Sequence, residues 1–170
     1  MKKRVCIALG AWCLFVALHG AVSAPLVINV SSSIPRGVYL KKKGGNLERG
    51  NLVLVCPSNG AVWRLVAQSR SVVKGSGCGG TLAPLIKEIA AVEGDTVTVT
   101  TAGVVLNGTL RTGTALLSFS SRGELLPRAS SQKIPRGELF LLGSSQESLD
   151  SRYFGSVPIE DVQGVLTRLL

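Results

Sequence analysis

The sequence predicts a mainly β domain that follows one apolar segment at the N-terminus. Short apolar or alternating runs of roughly four to eight residues are separated by glycine, proline and asparagine, which is typical of strands and turns. Helical periodicity beyond the N-terminal segment is weak. With 170 residues, of which 45% are hydrophobic, the chain can build one sizeable core.

The N-terminal segment, residues 1–24, starts with three basic residues and continues as "VCIALGAWCLFVALHGAVSA". An apolar run of about 20 residues is long enough for a helix that crosses a bilayer. The same pattern describes a cleavable secretory signal. We expect an uncleaved anchor, because Pro25 directly follows the small residues and would hinder cleavage. The basic end would then be cytoplasmic, and residues 25–170 would form an exported domain.

The strands are predicted in order along the exported part. "GNLVLVCP" is a short apolar run closed by proline, and "DTVTVTTAGVVLNGTL" alternates before it reaches Asn107-Gly108, a strong hairpin signal. "ELFLLG" predicts a buried strand, and "VQGVLTRLL" predicts a strand or a short helix. "AVWRLVAQSRSVV" is the one helical candidate. Residues 75–80 and 118–131 are predicted loops.

The net charge of +9 does not indicate nucleic-acid binding in this chain. Three of the positive charges precede the apolar segment, and the others are scattered with few aromatic residues between them. Lys41, Lys42 and Lys43 are instead well placed to meet anionic lipid head groups beside the anchor. We therefore expect the membrane, and not a nucleic acid, to be the partner of the basic surface.

Histidine and cysteine usage restricts the possible chemistry. The single histidine, His19, lies in the apolar segment, so a site that uses histidine as base or metal ligand is not expected in the exported domain. Cys56 and Cys78 are the cysteines of that domain, and in an oxidising compartment they could form a disulfide. We expect no metal, and the absence of a phosphate-binding glycine motif predicts no cofactor.

A serine nucleophile with a lysine base remains possible. "PLIKEIAAVEGD" places Lys87 in an apolar run, where loss of hydration disfavours the charged ammonium and lowers the lysine pKa. A neutral lysine can accept a proton from a serine hydroxyl. The pattern alone also fits a lysine at an exposed strand edge beside Glu88.

Three motifs decide between these interpretations. "SSSIPRGVY", "LIKEIAAVEGD" and "SLDSRYFG" follow the apolar segment in that order, and the chain thereby resembles the type I signal peptidase family of serine-lysine endopeptidases. The short first motif, the cysteine pair and the small size are most similar to its conjugative-transfer, TraF-type branch. The resemblance covers nearly all of the chain and implies a signal-peptidase-like β fold with an N-terminal transmembrane helix.

The resemblance also implies roles for particular residues. Ser33 matches the nucleophile and Lys87 the general base, while Ser31 and the backbone N–H of Ser33 match the oxyanion donors. Ser148 matches a serine that orients the lysine. The remaining matches imply structural support, as scaffold or as turn positions near the cleft: Asp150, Arg152, Gly94, Asp95 and Gly143.

Some residues depart from the family pattern. Glu88 stands where arginine usually follows the lysine, and Glu93 replaces a proline. Turned inward, Glu88 would keep Lys87 charged, so activity requires it to face away. "GSSQES" lacks the usual Gly-Asp-Asn, which bears on the geometry around Ser148. Ser32 is a lesser rival nucleophile, because its offset from Pro35 does not fit the motif.

The implied function is a peptidase of the inner membrane whose catalytic domain lies on the periplasmic side. Its partners would be the membrane and an exported substrate, with a pilin precursor of conjugative transfer as first choice, either hydrolysed or cyclised. A general signal peptidase is the alternative enzyme. The alternative from another class is an inactive, membrane-tethered binding module of the transfer apparatus.

Overall fold

The structure is a computed structural model, and it describes residues 26–56, 58, 78, 83–120, 123 and 125–170. The predicted anchor, residues 1–24, and the helical candidate, residues 61–73, lie outside the described residues. Of the predicted loop at residues 75–80, only Cys78 is described. None of the helices in the described part is long and apolar enough to span a membrane.

The described part is mainly β, as predicted. Its strands are β1 (Leu26–Asn29), β2 (Gly37–Lys42), β3 (Leu52–Val55), β4 (Leu85–Ala91), β5 (Thr96–Thr100), β6 (Gly103–Leu106), β7 (Thr109–Arg111), β8 (Gln132–Lys133), β9 (Glu138–Leu142), β10 (Val157–Pro158) and β11 (Val162–Arg168). A short helix, α1 (Ser151–Phe154), precedes β10, and a 3-10 turn at Ile159–Asp161 precedes β11.

Two antiparallel sheets organise these strands. Within the described residues the larger sheet has seven strands in the order β1, β2, β11, β3, β4, β9, β10. The smaller sheet has four, in the order β7, β6, β5, β8. Strand β5, "TVTVT", alternates exposed and buried residues because one of its faces meets solvent, whereas most residues of β3 and β4 are buried.

Three hydrophobic clusters of described residues hold the sheets together. One joins β4 and β9 to the smaller sheet through residues such as Ala91, Phe140 and Val97. A second packs β3, β4, β9 and β10 around Val53 and Ile89. A third contains Ile34, Tyr39, Leu54, Ile86 and Leu166. Because Ile34 follows Ser33 directly, this last cluster fixes the serine motif to the larger sheet.

The structure contains the predicted hairpin, shows whether "VQGVLTRLL" is a strand or a helix, and describes part of the predicted loop at residues 118–131. Asn107 and Gly108, with φ of 48° and 85°, connect β6 to β7 as a two-residue turn of the expected kind. "VQGVLTRLL" supplies strand β11 and not a helix, because β11 pairs with both β2 and β3. The described part of residues 118–131 is irregular, as predicted, with one bridge between Phe119 and Leu125.

A disulfide joins Cys56 and Cys78, whose Cα atoms lie 5.4 Å apart. Cys56 directly follows β3, and its N–H donates to the Asp161 carbonyl at 2.9 Å. The bridge therefore fastens Cys78 to the end of a central strand of the larger sheet.

Candidate active site

Lys87 lies in the middle of β4, opposite Val53 of β3, and only 2% of it is exposed. Its Nζ donates to Ser148 Oγ at 2.8 Å. Because Lys87 is the donor in this hydrogen bond, the nitrogen lone pair of its neutral form stays free to accept a proton. The apolar run around Lys87 therefore buries the lysine in the larger sheet and does not place it at an exposed edge.

Burial lowers the pKa of Lys87 from 10.5 to about 8. Loss of hydration is the largest cause, the carboxylate of Asp150 acts in the opposite direction, and the guanidinium of Arg152 lowers the pKa further. A substantial fraction of the lysine is then neutral near pH 8. A neutral amine is the form that a general base requires.

Glu88 does not reach the lysine. Side chains alternate along a strand, so Glu88 points to the opposite face of β4 from Lys87. There its Oε1 accepts from Arg111 Nη2 of the smaller sheet at 2.7 Å. The departure at Glu88 therefore meets the condition for activity, because its charge is directed away from the buried lysine.

Ser33 and Lys87 line one cleft of about 420 Å³. Ser33 belongs to the connection between β1 and β2, which we call the serine loop (residues 30–36). Most of the cleft is apolar, and its described lining consists of Leu26, Val27, Ile28, Asn29, Val30, Ser31, Ser33, Leu54, Ala83, Pro84, Leu85, Ile86, Lys87 and Leu149. Ser32 is exposed and is not part of this lining.

Gly143 lies between Ser148 and the serine loop. A Cβ atom at this position would be 2.1 Å from Ser148 Oγ and 2.9 Å from the carbonyl oxygen of Ser33. The next residue, Ser144, donates to the same Ser33 carbonyl from its backbone N at 2.6 Å and from its hydroxyl at 3.1 Å. Gly143 therefore allows the lysine's partner and the serine loop to approach each other.

Asp150 and Arg152 form a fully buried ion pair beneath Ser148, with an N–O distance of 2.8 Å. Asp150 also accepts from the N–H of Gly143 at 2.9 Å. Arg152 Nη2 donates to the carbonyls of Ser145 and Ser148, both at 3.1 Å. Burial opposes the charge of Arg152, but hydrogen bonds to Asp150 and its charge outweigh this effect and raise the arginine pKa.

The ion pair thus shapes the turn that carries Ser148. The missing Gly-Asp-Asn of "GSSQES" does not displace this serine, because Ser148 is buried and contacts Lys87. Among the described residues, no group of three or more histidine, cysteine, aspartate or glutamate side chains is arranged to hold a metal ion.

Comparison with known proteins identifies the family. The family model described as signal peptidase, peptidase S26, matches residues 1–169. The chain belongs to the signal peptidase family. This is the family that the three sequence motifs indicated, and the structure of this member has an apolar cleft lined by a buried lysine.

The proteins similar in sequence to this member of the signal peptidase family include proteins named for plasmid or conjugal transfer. The plasmid transfer protein TraF of Escherichia coli is 32% identical over 167 residues, covering 96% of this chain and 93% of that protein. The conjugal transfer protein TraF of Agrobacterium fabrum is 31% identical over 155 residues, covering 88% and 87%. A crystal structure of a signal peptidase I from Enterococcus faecalis has a TM-score of 0.45 and 20% identity, covering 74% of this chain and 100% of that chain.

The turn at Gly94-Asp95, expected near the cleft from the family resemblance, does not line it in the described structure. It connects β4 to β5, and Asp95 accepts from Arg49 and from Asn107 Nδ2. Burial disfavours the Asp95 carboxylate, but these hydrogen bonds outweigh that effect and lower its pKa. This turn therefore supports the junction between the two sheets.

Asn29 of this signal peptidase family member was not among the residues predicted from the sequence, although it contacts the predicted oxyanion residue Ser31. Asn29 Oδ1 accepts from the backbone N of Ser31 at 3.1 Å and from the Ser31 hydroxyl at 2.9 Å. Asparagine often bonds to backbone groups two residues ahead, so an asparagine two positions before the first serine was the available signal. Ser144, which contacts the Ser33 carbonyl, was also missed.

Proposed function

We propose that this chain is a membrane-anchored serine endopeptidase that cleaves a pilin precursor for conjugative transfer, with Ser33 as nucleophile and Lys87 as general base. The observation that carries the proposal is that Ser33 and a buried lysine with a lowered pKa line the same apolar cleft. Activation of a serine by a desolvated lysine needs no histidine and no metal.

The reaction begins when neutral Lys87 takes the proton of the Ser33 hydroxyl, and the serine oxygen attacks the substrate carbonyl. Ser148 orients the lysine through its 2.8 Å hydrogen bond. The backbone N–H of Ser33 and the hydroxyl of Ser31 stabilise the oxyanion. The lysine returns its proton to the leaving amine, which leaves an acyl-enzyme. Water then releases the product, or an amine of the same substrate displaces the serine and gives a cyclic product.

The anchor places this reaction at the membrane surface. In the proposal, residues 1–24 span the inner membrane and residues 25–170 form the periplasmic catalytic domain. About nine residues connect the anchor to Ser33, an extended reach of at most about 30 Å. A substrate held in the same bilayer by its own apolar segment therefore arrives close to the cleft, which raises its effective concentration there.

The relatives support the choice of substrate. Two proteins similar over most of this chain are named for plasmid or conjugal transfer. The cleft is mostly apolar, which suits the small and apolar residues around the cleavage sites of exported proteins. We therefore assign a precursor of the transfer pilus, before the general set of exported proteins, as the substrate.

The test is the intact mass of the candidate pilin precursor after co-expression with wild type, Ser33→Ala or Ser32→Ala. We expect a shortened product with wild type and Ser32→Ala, and unprocessed precursor with Ser33→Ala. A further loss of one water from the product would identify cyclisation. Processing by Ser33→Ala would refute the nucleophile assignment, and an unchanged precursor with wild type would favour another exported substrate or a binding module.

The pH dependence tests the lysine directly. Because protonated Lys87 cannot accept the serine proton, kcat/KM should rise with pH, with a midpoint of about 8. Below that midpoint it should fall about tenfold per pH unit. The measurement is a pH profile of kcat/KM on a precursor peptide. Glu88→Gln is the matched control, since Glu88 binds Arg111 on the opposite face, and its profile should be unshifted. A midpoint near 10 would contradict the proposed base.

A further inference from the structure

The side chain of Asn29 connects the two sides of the serine loop. Asn29 is the last residue of β1, pairs with Gly37 of β2 and is only 6% exposed. It therefore lies at the base of the loop that carries Ser33, where strands β1 and β2 begin to pair.

All the hydrogen-bonding capacity of this amide is used within the serine loop. Asn29 Oδ1 accepts from both the N–H and the hydroxyl of Ser31, before Ser33. Asn29 Nδ2 lies 2.8 Å from the Ile34 carbonyl and 3.1 Å from the Pro35 carbonyl, after Ser33. It also lies 3.2 Å from the Ser31 carbonyl. Few side chains have an acceptor and two donors in one plane, so these contacts require an asparagine-like amide.

We propose that Asn29 is the positioning residue of the active site: its amide sets the conformation of the serine loop, and thereby places the Ser33 hydroxyl at Lys87 and the Ser31 hydroxyl beside the oxyanion. This inference rests on the proposed function. Asn29 acts through Ser31 and the loop backbone and takes no part in the proton transfer itself.

The Ser31 contact has a consequence for the catalytic cycle. In the structure the Ser31 hydroxyl donates to Asn29 Oδ1, so its proton points to the amide and not into the cleft. Rotation of this hydroxyl toward the oxyanion breaks one hydrogen bond, while the Ser31 N–H still holds the same Asn29 oxygen. Asn29 therefore keeps the loop in place while the hydroxyl changes partner.

The experiment compares Asn29→Ala and Asn29→Asp with wild type in the full chain, using cleavage of the pilin precursor. Asn29→Asp has the same shape and keeps the acceptor for Ser31, but it replaces the donor to the Ile34 and Pro35 carbonyls by an oxygen. We expect kcat to fall at least about 30-fold in both variants with KM within about threefold, because the reacting groups are misplaced while the apolar cleft is kept.

The controls separate this role from general stability and from the proposed function. Asn51→Ala removes an amide that donates to a backbone carbonyl in the loop before β3, away from the cleft, and should keep wild-type kcat. A kcat like wild type in both Asn29 variants, with Ser33→Ala inactive, would overturn the inference and leave the function standing. Full activity of Ser33→Ala would overturn both. If Asn29→Ala fails to fold, Asn29→Asp decides the matter alone.

Discussion

Replacing Lys87 by methionine is expected to reduce precursor cleavage by at least about 10³-fold, because no other residue of the described cleft lining carries a basic side chain that could take the proton of Ser33. Methionine has a similar length and no charge, so it fills the same buried position in β4. The measurements are kcat/KM on the precursor and the midpoint of thermal unfolding.

Stability should not fall in the Lys87→Met variant. Burying the lysine carries a desolvation cost that lowers its pKa, and an apolar side chain does not have this cost. The variant loses the hydrogen bond from Lys87 Nζ to Ser148 Oγ, and the stabilisation lost is smaller than the desolvation cost that is removed. The Ser148 hydroxyl that remains can rotate. Glu88→Gln is the control for charge removal at the adjacent position and should cleave normally. More than about a tenth of wild-type activity in Lys87→Met would exclude Lys87 as the base.

Replacing Gly143 by alanine is expected to reduce cleavage by about 10²-fold or more and to destabilise the fold by about 1 to 3 kcal/mol. The new Cβ would lie 2.1 Å from Ser148 Oγ and 2.5 Å from Ser148 Cβ, so Ser148 must shift from the position in which it contacts Lys87. It would also lie 2.9 Å from the Ser33 carbonyl and press on the serine loop.

A second glycine separates the loss of stability from the loss of geometry. Gly137 has a φ of +77°, and among the described residues no atom outside Gly137 and its two chain neighbours lies within 4 Å of a Cβ built there, so Gly137→Ala strains the backbone without a new contact. Its unfolding midpoint should fall while its kcat/KM per folded molecule stays near wild type. Equal activity losses in the two variants, or normal cleavage by Gly143→Ala, would show that Gly143 does not set the distance between Ser148 and the serine loop.

The burial of Lys87 was predictable only from the local pattern together with the family resemblance. An apolar run around one lysine fits either a buried strand or an exposed strand edge, and the three motifs in order favoured the buried lysine. Strand alternation then predicts that Glu88 faces away. The Asn107-Gly108 hairpin was predictable from the local sequence alone, since two adjacent residues determine the turn.

The contacts of Gly143 and Ser144 were not predictable in this way. Gly143 is needed because Ser148 and Ser33, far apart in the sequence, approach it from two sides. Strand β11 was ambiguous because its partners, β2 and β3, lie more than a hundred residues earlier in the chain, and a short apolar run does not reveal whether such partners exist. Long-range packing, and not local propensity, decided these positions.

The order of strands in the larger sheet has a consequence for the folding of the chain. Ser33 belongs to the β1–β2 hairpin and Lys87 to β4, and between β2 and β3 lies β11, the last described strand along the chain. The hairpin and the lysine strand therefore join one sheet only after β11 has inserted between β2 and β3. Until β11 has paired with both neighbours, the β1–β2 hairpin and β4 are not part of one sheet, so the proposed nucleophile and base meet late in folding.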